Sequence, residues 1–222
     1  MNLPQGVLHE LWVWGSFVLA LLVLGWALKT APWHKVRGDS HAQHVFFGVT
    51  LALAFLWYGT ASIGDGLSFH FLLITTVTLL FGWQFAVLAA LLALIVLSGF
   101  GLTGWDALAV NWLLMGVVPA LITWWILVAA YRWLPRHFFV YVFLNAFLAA
   151  GISTFIALVI TGYVLIWAGV QTAEKVAHSF MPYIPLLAAP EAFLNGMIMA
   201  FLVMFKPQWI ATFTDEHYLK GK

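Results

Sequence analysis

The sequence predicts an all-α, polytopic integral membrane protein of about seven spans, on three observations. The 222 residues are 64% hydrophobic and only 8% charged, with a mean hydropathy of +1.00, far from the usage of soluble domains. Apolar runs long enough to cross a bilayer recur along the whole chain. The few basic residues gather between particular pairs of those runs.

The runs fall near 7–28, 45–61, 84–98, 107–130, 138–168 and 184–205, and are read as six spans against the roughly 20 mainly apolar residues that a crossing needs. A shorter run from Leu67 to Phe81, closed by Gly82, Trp83 and Gln84, is read as a short seventh span. Joined to the next run it is too long for one upright helix. With seven spans and the amino terminus outside, Lys29, Lys35, Arg37, Arg132, Arg136, Lys206, Lys220 and Lys222 fall on the cytoplasmic side and Lys175 outside. Six spans would move Arg132 and Arg136 outward, against the rule that basic loops stay in the cytoplasm. The first run has Glu10 before it and no basic stretch or small-residue cleavage site, so it reads as an uncleaved anchor. Tryptophans such as Trp12, Trp105, Trp26 and Trp133 sit near the expected span ends, as interfacial belts do. Residues 1–222 are expected to form a single transmembrane domain, with an ordered segment at 1–6 and a cytoplasmic tail at 207–222.

A formal net charge of +1 offers no basic stripe for a phosphate backbone, which excludes nucleic acid as a partner. The absence of cysteine excludes disulfides, thiolate metal sites and a thiol nucleophile, leaving eight histidines as the main candidate ligands. His9, His70 and His178 fall on the outer side, and His34, His41, His44, His137 and His217 on the inner. His70 stands out because Gly64 and Gly66 precede it in a loop entering a threonine-containing helix, and glycine lets backbone crowd a bound group. Pro4 and Gly6 give the amino-terminal segment a fixed shape, and an ordered terminus implies use of its amine. Asn2 is too bulky for the usual removal of Met1. Glu191 is the one carboxylate expected inside a span, a costly placement that marks a candidate. Asn111 and Asn195 read as second-layer donors or interhelical hydrogen-bond partners. Asp65 and Asp106 lie in outer loops. Gly48 and Ala52 have the spacing for a close helix contact, either inside the chain or with a partner. His41 and His44 read as part of a polar loop facing lipid or a partner.

Several motifs in order carry a resemblance: Met1-x-x-Pro4-x-Gly6, Gly66-x-Ser68-x-His70, Gly101-Leu102-Thr103 followed by Ala109-x-Asn111-x-x-x-Met115-Gly116-Val117, and Glu191-x-x-x-Asn195-Gly196. Together they resemble the CbiM-type cobalt/nickel substrate-binding membrane components of energy-coupling-factor (ECF) transporters. The resemblance implies a component in the bacterial inner membrane that captures a divalent transition metal from outside. A transmembrane coupling subunit and ATPase subunits would work beside it, so that the chain itself is not an enzyme. It further implies a square-planar site built from the Met1 amine, the second residue's backbone nitrogen and side chain, and His70. Ser68, Asn111, Glu191 and Asn195 would support the pocket.

This sequence has Asn2 where the family usually has histidine, and Gln5 where it usually has an acidic residue. The amine and the next backbone nitrogen close a five-membered chelate whatever side chain follows. Asn2 Oδ1 then completes the set as an oxygen donor, or His9 or His178 supplies a nitrogen. A tetragonal nitrogen/oxygen set suits copper or nickel, and a more open one zinc or cobalt. Two further functions compete: an intramembrane redox protein holding haem between outer histidines, and a substrate-binding component for a non-metal solute.

Overall fold

A computed structural model describes residue 3, residues 5–59, the backbone of 61–62 and 68–69, and residues 70–213. The fold is helical apart from a two-residue antiparallel pair, β1 (Ala61–Ser62) with β2 (Ser68–Phe69). Helix α1 (Glu10–Thr30) starts on His9, whose Nδ1 accepts from the Leu11 N–H, and it carries Glu10 in its first turn and Lys29 in its last. Both charges oppose the helix dipole. Helix α2 (Ser40–Tyr58) is capped by Asp39, whose carboxylate accepts from the His41 and Ala42 N–H groups. Two long helices, α5 (Leu108–Trp133) and α6 (Phe138–Trp167), contain π-helical stretches at Leu113–Val117 and Tyr141–Leu148. After the short α7 (Ala173–Ser179) comes α8 (Ile184–Phe205), with Pro190 inside it. Four described helical segments are long and apolar enough to cross a membrane: Glu10–Thr30, Leu108–Trp133, Phe138–Trp167 and Ala173–Phe205.

The interior is organised around the shortest core element. Helix α3 (Ile74–Phe81) has every residue from Ile74 to Leu80 buried, packed among α4 (Trp83–Gly99), α5, α6 and α8. Gly82, at φ 89°, makes the sharp turn from α3 into α4, a backbone conformation that favours glycine. Close approach elsewhere also needs glycine: a Cβ on Gly116 of α5 would lie 2.8 Å from Ala90 Cβ of α4.

One sequence expectation is corrected and another narrowed. The helix expected from Leu67 begins only at Ile74, because residues 68–69 are committed to pairing with 61–62 and the chain then runs irregularly to a left-handed Leu73 at φ 52°. Gly48, expected to allow a close helix contact inside the chain or with a partner, has nothing within 4 Å of its Cβ position. Among the described residues no helix packs on it, which leaves a contact with a partner as the other alternative.

Candidate metal pocket at the start of α3

An eight-residue helix is about 12 Å long, well short of a hydrocarbon layer of roughly 30 Å. The chain leading into it is irregular, and buried irregular backbone needs its polar groups satisfied by protein. Glu191 meets most of that need. It lies two turns into α8 and is buried. Its Oε2 accepts from the Leu72 N–H at 2.9 Å and its Oε1 from the Leu73 N–H at 2.7 Å. One turn further on, Asn195 Oδ1 accepts from both the N–H of Thr76, at 2.9 Å, and its hydroxyl, at 2.8 Å. Asn195 Nδ2 in turn donates to Glu191 Oε1 at 2.8 Å. A carboxylate here also faces the positive end of the α3 dipole. From α2, Trp57 Nε1 donates to the Leu72 carbonyl at 3.3 Å.

His70 sits on this pinned loop. Its ring centroid is 5.5 Å from that of Trp57, and its Nδ1 lies 3.3 Å from the Phe71 carbonyl. Donation from Nδ1 to that carbonyl leaves Nε2 with its lone pair. The residue is partly exposed, so this nitrogen is available to ligate a metal.

The amino-terminal segment is tied to α5 and to the loop before it. Buried Leu3 donates its N–H to Asn111 Oδ1 at 2.8 Å and accepts from Asn111 Nδ2 at 3.2 Å, so one amide side chain holds both polar groups of that residue. The Gly6 N–H donates to Asp106 Oδ2 at 2.7 Å. A Cβ on Gly104 would come within 2.7 Å of Gln5 Cβ and 2.3 Å of Asp106 Oδ1, so only glycine leaves room for this crossing. Leu3, Trp57 and Leu72 all belong to one buried cluster.

Met1, Asn2 and Asp65 lie outside the described residues, as does the side chain of Ser68, whose backbone pairs with Ser62. His9 serves as the cap of α1. His178 is exposed, with Nδ1 at 2.9 Å from the Glu174 carbonyl. Among the described residues no three His, Asp or Glu side chains come together as a metal cluster. Sequence reasoning missed Trp57 and the role of Asp106. It also missed a buried hydroxyl cluster beside α3, where Thr75 Oγ1 is 2.8 Å from Thr123 Oγ1 and 3.3 Å from Ser153 Oγ. The several threonines of α3 were the one available signal for that cluster. Asn145 went unnoticed too: it is buried in the π-helical stretch of α6, and its Oδ1 has no hydrogen-bond partner among the described residues.

The fold is that of a helical membrane protein in which buried polar side chains hold the chain before a short internal helix. Residues 2–209 match the family model CbiM, described as cobalt uptake substrate-specific transmembrane region, and the chain belongs to that family. It is thus a membrane component of transition-metal uptake. Among solved structures, one titled as a truncated transition metal transporter has a TM-score of 0.72 at 18% identity, covering 92% of this chain and 99% of that one. A second, titled as a transition metal transporter, has a TM-score of 0.72 at 19% identity, covering 92% and 93%. At such identity these two establish the fold alone. No curated protein matches the chain.

Proposed function

We propose that this chain is the substrate-capturing component of an ECF importer in a bacterial inner membrane. In this reading the Met1 amine, Asn2 and His70 bind a divalent transition metal, one of nickel, cobalt, copper and zinc. A coupling subunit and ATPase subunits power its transport, so the chain carries no catalysis of its own. The observation that carries the reading is the geometry around His70. The His70 imidazole sits on a loop whose backbone is held by Glu191 and Trp57, while Asn111 fixes the chain two residues after Met1. Ligands held in place before the ion arrives pay little ordering entropy on binding. Asn2 completes the chelate, with His9 or His178 as the alternative donor.

The arrangement of helix ends supports seven crossings with the amino terminus outside. Gln84 Nε2 donates to the Thr30 carbonyl at 3.2 Å, the Trp83 ring lies tilted against Trp26 at 4.3 Å between centroids, and the Ala211 N–H donates to the Leu80 carbonyl at 2.8 Å. The end of α1, the turn between α3 and α4, and the chain after α8 therefore share one end of the bundle. The basic loops belong at that end, which makes it cytoplasmic.

Equilibrium dialysis of purified protein against nickel, cobalt, copper and zinc is expected to retain about one ion per chain. Absence of retention together with a Soret band would favour the haem-binding alternative instead.

A further inference from the structure

A groove of about 520 Å³ opens on the outside of the bundle between the end of α1 and the start of α2, far from His70. Leu28, Phe47 and, from α4, Phe85, Leu88 and Leu91 line it, together with Arg37. Arg37 is exposed, and among the described residues its guanidinium has no hydrogen-bond or ionic partner. Lys29 and Lys35 adjoin the lining residues Leu28 and Val36 in sequence. The single carboxylate nearby, Asp39, is occupied in capping α2. An apolar slot capped by uncompensated positive charge is complementary to an amphiphile with an acyl chain and an anionic head.

The slot of about 520 Å³ admits a single extended hydrocarbon chain lengthwise, and the basic groups beside it select an anionic head. We infer that the groove binds one anionic phospholipid, its acyl chain lying along Phe85–Leu91 and its phosphate on Arg37. Basic pockets between helices at a membrane surface recognise such head groups, and interfacial tryptophans such as Trp33 flank them. The inference rests on the membrane location of the chain and is independent of the metal site.

The test is native mass spectrometry of delipidated full-length protein with added phosphatidylglycerol or phosphatidylcholine. Wild type is expected to bind one phosphatidylglycerol at least about fivefold more tightly than phosphatidylcholine, the gain expected of one basic residue at the surface. Arg37→Gln should abolish that preference, Leu91→Trp should weaken both lipids by narrowing the slot, and Lys175→Gln, remote from the groove, should change neither. Equal binding of the two lipids to wild type, or a preference that survives Arg37→Gln, would overturn the assignment.

Discussion

The two ends of α3 are satisfied by different means. At its start, the N–H groups of Leu72, Leu73 and Thr76 are taken by two side chains of α8, Glu191 and Asn195. At its end, the carbonyls of Leu79 and Leu80 are taken by a strap of chain following α8, through Thr212 Oγ1 at 2.6 Å and the Ala211 N–H at 2.8 Å. Tyr141 also meets the Thr212 hydroxyl, at 2.6 Å, and Tyr131 donates to its carbonyl. The pocket end thus depends on single buried side chains, while the opposite end spreads the same task over backbone and several hydroxyls. A point substitution should therefore disturb the pocket end far more.

Glu191→Ala is expected to have the largest effect, because it leaves the Leu72 and Leu73 N–H groups buried and unpaired at about 1–3 kcal/mol each. Unfolding in detergent should show a loss on the order of 2–6 kcal/mol, and metal binding should fall with it. Asn111→Ala comes next. It frees Leu3 without touching a proposed ligand, so metal affinity should drop about tenfold, roughly 1.4 kcal/mol, while the unfolding midpoint moves less than in the Glu191 variant. Thr212→Val should be mildest, at about 1 kcal/mol of stability with metal affinity unchanged within about twofold. If Thr212→Val harmed metal binding as much as Glu191→Ala, the contrast between the two ends would fail.

Much of the membrane architecture was legible in the sequence, because hydropathy fixes where helices run; α1, α4 and α8 lie close to the apolar runs that predict them. The start of α3 was not legible. No local pattern says that residues 68–73 stay out of the helix, since that depends on Glu191, 118 residues away from Leu73. Glu191 and Asn195 were visible as costly polar groups inside a span, but their common partner was not. Trp57 looked like one more tryptophan among 13, and its bond to Leu72 is a tertiary fact. The emptiness around Gly48 shows the converse: small-residue spacing permits a close contact without creating one.

The most direct test of the central claim compares metal titrations of wild type with those of His70→Ala and of a form carrying one extra residue before Met1. Each change removes one proposed donor, and neither touches the Glu191 and Asn195 bonds that hold α3. Affinity is expected to fall at least about tenfold, roughly 1.4 kcal/mol, in each form, with unfolding midpoints of the metal-free proteins close to wild type. Wild-type affinity in either form would contradict the claim that the ion is held between His70 and the terminal amine.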